Sequence, residues 1–248
     1  MELSRADIAC QLVLVCHRLY EKAFVTATDG NVSARLPNGN ILVTPSAINK
    51  GRVAESDLVE IKIDGTPVTL NRKPSTELDM HLFIYNKRED VRAIVHAHPT
   101  YATGFAAARV PLSNAVFPEA IVGLGVIPLA KYATPSTKEI AESLAPHVGT
   151  ASAILLANHG VVAYGSDLDD AYFKIEKVEH AAHITFVARM LGGERPLTSA
   201  ELDKLKAVSK SSYGKEISPA VGRVQEVSVE PSDAELKQLI REILKERK

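Results

Sequence analysis

Short runs rich in Val, Ile and Leu alternate along this chain with stretches whose apolar residues recur at helical spacing, and that alternation points to a sheet with helices on its faces. Residues 41–44, 58–63 and 68–70 read as strands, the last two joined as a hairpin by an Asp64-Gly65 turn. Residues 91–96 and 153–157 read as buried strands. Ser4 with Asp7 has the form of a capping box, and Ile8, Leu12, Val15 and Leu19 then follow on one helical stripe. A second helix is predicted over 77–87, and a long one over 167–191 that stops at Gly192-Gly193. With 248 residues, 46% of them hydrophobic, the chain can bury a sizeable core as one α/β domain, although two small domains would also fit the length.

Charge and hydropathy exclude several classes of partner. The 29 Lys+Arg nearly balance 30 Asp+Glu, so the chain lacks the basic footprint that nucleic acid or an anionic membrane surface requires. Any anion it binds needs a local site. No run of about 18 apolar residues occurs and the first residues lack a secretory pattern, which gives the expectation of a soluble cytoplasmic protein. Cys10 and Cys16, six apart in the first helical pattern, face different sides and cannot bridge; both are expected to be buried, inert thiols.

The chemistry is concentrated in histidines at the ends of the apolar runs. In Val95-His96-Ala97-His98-Pro99, strand periodicity sends His96 and His98 to the same face, about 7 Å apart at the backbone, close enough for two imidazoles to share an ion. An isolated H-x-H also fits one core histidine beside one surface histidine. A third, His159 in Asn158-His159-Gly160, follows another buried strand, and Gly160 would allow a sharp turn there. Three histidines with an open position describe a catalytic zinc site, since structural sites close with four ligands that usually include Cys.

Two further segments suit an anion. In Lys73-Pro74-Ser75-Thr76-Glu77, hydroxyls sit beside the free N–H groups of a helix start, which favour phosphate; equally, Ser75 or Thr76 caps the helix and Glu77 is a first-turn acid. In residues 28–33 Gly30 and Asn31 are able to take positive φ and present N–H groups.

Taken in order, Gly30-Asn31-Val32-Ser33, Thr44-Pro45-Ser46, Pro74-Ser75-Thr76-Glu77, His96-Ala97-His98 and Asn158-His159-Gly160 resemble the class II aldolase/adducin family over roughly residues 4–213. The resemblance implies a three-layer α/β/α sandwich in a homotetramer, with Zn2+, or another divalent ion such as Mn2+ or Co2+, on His96, His98 and His159. It implies that Glu77 both touches the metal and moves protons, with Tyr213 assisting. It implies that Gly30, Asn31, Ser46, Ala47, Ser75 and Thr76 cradle the phosphate of a phosphorylated sugar. The implied reaction is aldol cleavage of a ketose 1-phosphate, L-fuculose 1-phosphate or a related deoxyketose phosphate, to dihydroxyacetone phosphate and an aldehyde. Epimerases, dehydratases, decarboxylases and the non-enzymatic adducin head share the family; Glu77 argues against an epimerase, where Asp is typical, and the histidine triad against a binding module. Ser46-Ala47 stands where the fuculose-phosphate enzymes have Thr-Gly, so a backbone needing glycine's freedom is expected to differ here.

His180 and His183, spaced i,i+3, fit packing or hydrogen bonding better than a metal site that lacks a third ligand. Tyr132 fits either a loop reaching a site or an interface. After a catalytic domain over 1–216, residues 217–231 read as a linker and 232–248 as an amphipathic helix with Leu236, Leu239, Ile240, Ile243 and Leu244 on one stripe. That stripe needs a partner. Either the helix docks on its own tetramer, or it resembles the short helices that load enzymes into bacterial microcompartment shells.

Overall fold

A computed structural model of the chain describes residues 3–112, 116–214, 216, 217 and 221. Seven strands, β1 (Asn31–Arg35), β2 (Ile41–Val43), β3 (Val59–Ile61), β4 (Ala93–Ala97), β5 (Leu129–Ala130), β6 (Ala153–Leu156) and β7 (Gly160–Gly165), form one sheet in the order β3-β2-β1-β4-β7-β6-β5. Every pairing is antiparallel except β5 with β6. Among the described residues seven α-helices accompany it: α1 (Arg5–Glu21), α2 (Leu78–Lys87), α3 (Thr100–Ala107), α4 (Pro118–Leu124), α5 (Glu139–Leu144), α6 (Leu168–Met190) and α7 (Ser199–Tyr213).

The strands are buried on both faces, which is why they read as short continuous apolar runs. Along β4, Ala93, Val95 and Ala97 join Leu12, Val15 and Leu19 of α1 and Ala171, Ile175 and Val178 of α6 on one side. Ile94, between them, joins Met80, Ile84 and Tyr85 of α2 and Ile140 and Leu144 of α5 on the other. Helices therefore cover both faces, and the expected three-layer α/β/α sandwich is what the chain forms. The Ser4–Asp7 capping box opens α1 as predicted, with Ile8, Leu12, Val15 and Leu19 buried. A second box, Thr198 with Glu201, opens α7, and Gly214 ends it at φ +62.

Three local expectations fail. Residues 68–70 make no strand: after one bridge, Ile61 to Pro67, the N–H groups of Val68 and Thr69 both donate to the Glu60 carbonyl, and the Glu60 N–H donates to the Thr69 hydroxyl. Pro67 supplies no donor with which to extend the ladder. Asn31 is no turn residue but the first of β1. Cys10 is exposed; Cys16 is buried as expected, and burial pushes its thiol up to about 12.

Ile217 and Val221 pack with Ile121 of α4 and Leu202 of α7, so the chain still contacts the domain at Val221. The expected amphipathic helix over 232–248 lies outside the described residues, as does most of the expected linker. Among the described residues no helix is long and apolar enough to cross a membrane.

Candidate metal centre

The three histidines are brought together by the ends of β4 and β6 and by one short helix between them. His96 shares its face of β4 with Ile94, and its Nδ1–H donates to the Val161 carbonyl at 2.9 Å. Its Nε2 then presents a lone pair. His98 follows the strand, its N–H held by the Phe24 carbonyl, and α3 starts two residues later. Pro99 at that helix's N-cap offers no capping side chain; Glu179 of α6 supplies the acceptors, taking the N–H groups of Tyr101 and Ala102 at 3.0 and 2.8 Å.

The other end of α3 fixes His159. Asn158 adopts φ +57, a conformation asparagine tolerates, and its backbone and side-chain N–H groups reach the carbonyls of Ala106 and Ala107 while its Oδ1 accepts from Arg109. The sharp turn thus falls on Asn158 and not on Gly160. Gly160 is needed for a different reason: a Cβ there would lie 2.5 Å from the His98 ring and 2.6 Å from the Ala97 carbonyl oxygen.

Side-chain ligand atoms of His96, His98 and His159 all lie within 4.8 Å of one another. His96 Nε2 and His98 Nε2 are 3.0 Å apart, and Glu77 places Oε2 3.3 Å from His96 Nε2 and Oε1 3.2 Å from His159 Nε2. Burial pushes His96 down to about 4 and His98 to about 3, so both are neutral near pH 7. Burial raises the Glu77 carboxyl, but His96, His159 and the Asn31 amide outweigh it and hold the group below the ordinary carboxylate range. Neutral imidazole lone pairs and a carboxylate converging on one point repel unless a cation lies between them. Glu77 Oε1 is buried with no hydrogen-bond partner, a further sign that this donor set is built for one. Three nitrogens and an adjacent carboxylate suit a divalent ion with a position left open for substrate.

The centre borders a cavity of about 490 Å³. Every residue expected of the phosphate cradle lines it: Gly30, Asn31, Ser46, Ala47, Ser75 and Thr76. Two loops are clamped together by the Pro45–Pro74 bridge, with Ser46 N–H donating to Lys73 and Ser75 N–H to Thr44. Ala47 takes φ +56, glycine's usual region, at a cost of roughly 1–2 kcal/mol. Both side-chain groups of Asn31 are already engaged, Nδ2 by Glu77 and Oδ1 by His81, which leaves its backbone for a ligand. Tyr213 is the last residue of α7, and the place of its side chain lies outside the described part of the molecule.

Sequence reasoning overlooked three lining residues: Lys50, Pro135 and Ser136. Lys50, 1% exposed, donates to the carbonyls of Thr28 and Ile48 and so ties the two cradle loops to one buried ammonium. Burial pulls its value down, with Asp29 and Glu77 among the groups opposing. Nothing in an Asn49-Lys50-Gly51 string advertises this. His180 and His183 take the packing role, His183 stacked on Tyr101 at 3.9 Å and His180 edge-on to Phe117. Tyr132 is 53% exposed.

Residues 10–186 match the model of the Class II Aldolase and Adducin N-terminal domain. The chain belongs to that family. It is 36% identical over 180 residues to an L-fuculose phosphate aldolase of Methanococcus maripaludis, covering 73% of this chain and 96% of that protein. It is 31% identical over 204 residues to a 3-oxo-tetronate 4-phosphate decarboxylase of Escherichia coli, covering 79% and 94%. A solved L-fuculose 1-phosphate aldolase superposes with a TM-score of 0.75 at 36% identity, covering 82% of this chain and 96% of the other. Within the family, the divalent-metal reading of the histidine trio follows from the donor set described above.

Proposed function

We propose that this chain is a zinc-dependent carbon–carbon lyase that cleaves a ketose 1-phosphate of the L-fuculose type to dihydroxyacetone phosphate and an aldehyde. The observation that carries the reading is the Glu77 carboxylate, within 3.3 Å of two ligating imidazoles at the wall of a cavity whose other wall is a loop cradle suited to phosphate. When bound, the ion supplies a Lewis acid for the negative charge that develops on the substrate's carbonyl and hydroxyl oxygens. The chain's own residues do the rest. Backbone N–H groups around Gly30 and Ala47, with the hydroxyls of Ser46, Ser75 and Thr76, hold the phosphate above the Lys50 ammonium. Loss of the C4 hydroxyl proton, assisted by Tyr213, breaks the C3–C4 bond and releases the aldehyde. The bonding electrons stay as an enediolate over C2 and C3, and Glu77 delivers a proton to C3, giving dihydroxyacetone phosphate.

A second reading in the same family is favoured by the likeness to the decarboxylase, which runs further along the chain than that to the archaeal aldolase. Loss of CO2 from a 3-oxo-tetronate 4-phosphate leaves the same enediolate and, after protonation, the same dihydroxyacetone phosphate. Both readings assign Glu77 the same proton. Zinc-reconstituted protein is to be assayed for dihydroxyacetone phosphate from L-fuculose, L-rhamnulose and D-ribulose 1-phosphates and from the oxo acid. Cleavage of a ketose phosphate supports the first reading. Product from the oxo acid alone replaces it with the second. No product from any of them, together with no solvent deuterium entering dihydroxyacetone phosphate, overturns both.

We also infer a homotetramer. Phe186, Val187, Met190 and Leu191 at the end of α6 are 43–83% exposed, an apolar strip that self-association would cover. Residues 232–248 are read as a segment that docks on that tetramer or addresses it to a microcompartment shell. Sedimentation and melting of the full chain against one ending at Gly222 separates these: a lost tetramer or a large fall in Tm removes the shell address.

A further inference from the structure

Behind Glu77 a buried chain of hydrogen bonds starts at the side chain of Asn31, whose backbone borders the cavity, and leads into the core. Asn31 Nδ2 lies 2.8 Å from Glu77 Oε2; Asn31 Oδ1 lies 2.6 Å from His81 Nε2; His81 Nδ1 lies 2.6 Å from Ser33 Oγ; and Ser33 Oγ lies 2.9 Å from the Tyr85 hydroxyl. His81 and Ser33 are 0% exposed and Tyr85 1%.

The chemistry of the donors gives this chain a single direction. A carboxylate accepts only, so the Asn31 NH2 faces Glu77 and its carbonyl faces His81. That carbonyl requires a hydrogen on His81 Nε2. A neutral imidazole carries one hydrogen, so Nδ1 accepts from Ser33, and the Ser33 oxygen accepts in turn from Tyr85. Burial pushes His81 down to about 4, which agrees with the neutral ring. The other tautomer would set the Nε2 lone pair against the Asn31 carbonyl oxygen at 2.6 Å. Glu77 and His81 are i,i+4 at the start of α2, so one helical turn carries both ends of the Asn31 clamp.

We propose that His81 is a positioning residue that locks the Asn31 amide and thereby aims the Glu77 carboxylate, tying down Oε2 so that Oε1 is the oxygen that carries the proton. Oε1, which Asn31 does not hold, faces His159 Nε2 at 3.2 Å on the side of the histidine trio. The proposal rests on the reading of Glu77 as the proton carrier. It adds that the carrier is fixed through a neighbour three bonds removed from substrate, as outer partners of metal-site ligands commonly are.

The test uses the full-length, zinc-reconstituted protein and measures exchange of solvent deuterium into dihydroxyacetone phosphate by NMR, which isolates the proton step. His81→Phe fills the same space without hydrogen bonds and should lower kcat on the order of tenfold or more. KM for dihydroxyacetone phosphate and bound zinc per chain should stay near wild type. His81→Gln, which returns an N–H to face Asn31, should recover most of the loss. In a Glu77→Gln background, His81→Phe should add no further loss, because the two act on one step. A purely structural role would instead multiply the losses and show no rescue by Gln. A crystal structure of zinc-loaded His81→Phe should show the Asn31 amide or the Glu77 carboxylate displaced.

Wild-type exchange in His81→Phe, multiplicative losses, or unmoved Asn31 and Glu77 would each overturn the proposal. Should His81→Phe not fold, His81→Leu, a smaller apolar side chain without hydrogen bonds, carries the same test; a His81→Leu loss that is absent in the Glu77→Gln background supports the proposal, and no loss overturns it. Slow Glu77→Gln with fast His81→Phe sinks this inference alone. Wild-type exchange in Glu77→Gln sinks the proton-carrier reading and this inference with it.

Discussion

At the scale of single residues, the site depends on places where a side chain would intrude. Gly30 has φ +69, and a Cβ on it would lie 2.5 Å from Val25 Cγ1 and 2.8 Å from the carbonyl oxygen of His96. The second clash is with the backbone of a metal-ligand candidate, and β1 pairs Asn31 directly with His96, so any relief moves one strand against the other. Gly30→Ala is therefore expected to destabilise the protein by about 2–4 kcal/mol, the sum of backbone strain at positive φ and overpacking, and to weaken zinc binding as well. Thermal melts and chelator competition measure the two effects; a Tm within about 1 °C of wild type with unchanged zinc affinity contradicts the account. Ala47 shows the opposite case. There the loop holds φ +56 with alanine, a residue for which that region is costly, in place. The Pro45–Pro74 bridge and the Ser46 and Ser75 backbone bonds hold the loop in that conformation.

At the scale of elements, α3 is the ruler that spaces His98 from His159. Its eight residues are fastened at the front by the Glu179 carboxylate and at the back by Asn158. Glu179→Ala leaves two helix N–H groups without acceptors, which should cost about 1–2 kcal/mol, and it frees the end that carries His98. Zinc affinity should fall roughly tenfold, as for other outer partners, while Glu179→Gln, which keeps one acceptor oxygen, should lose less. Equal zinc affinity in Glu179→Ala and wild type would show that α3 is not what spaces the ligands. This clamp also shows how far the sequence could be read. The apolar runs, the first capping box and the histidines at the strand ends are local patterns, and each one reappears where the residues place it. The Glu179 cap, the Lys50 tie and the His81 relay join residues 22 to 78 positions apart, and such pairings have no local signature. One clue was available: Glu77 and His81 stand four apart on a predicted helix, a spacing that puts both side chains on one face. The hairpin expected at 58–70 failed for a local reason that Pro67 already announced.

At the scale of the whole molecule, burying neutral histidines couples stability to pH. His81 is held down to about 4 in the folded protein against its ordinary 6.5, and burial is the cause. Between those two values the unfolded chain binds a proton at this position and the folded chain does not. Stability therefore falls as pH drops from about 6.5 toward 4, by about 1.4 kcal/mol for each unit of separation between the two states. In the metal-free protein His96, at about 4, and His98, at about 3, add to the same slope. Glu77 works in the same direction at lower pH: its folded value is depressed, so the stability it contributes is present above its ordinary 4.5 and is lost as pH falls further. Zinc competes with protons for the same nitrogens, and His96 and His98 stay neutral in the folded protein down to about pH 4, so the Tm gain on loading the metal should shrink only as pH falls toward that value. Metal-free protein should lose several degrees of Tm between pH 7 and pH 5, and His81→Gln, which removes one of the titrating groups, should show a shallower fall over that interval. A flat Tm from pH 7 to pH 5 in metal-free wild type would mean that the buried rings gain partners on protonation, which the full burial of His81, already hydrogen-bonded at both nitrogens, opposes.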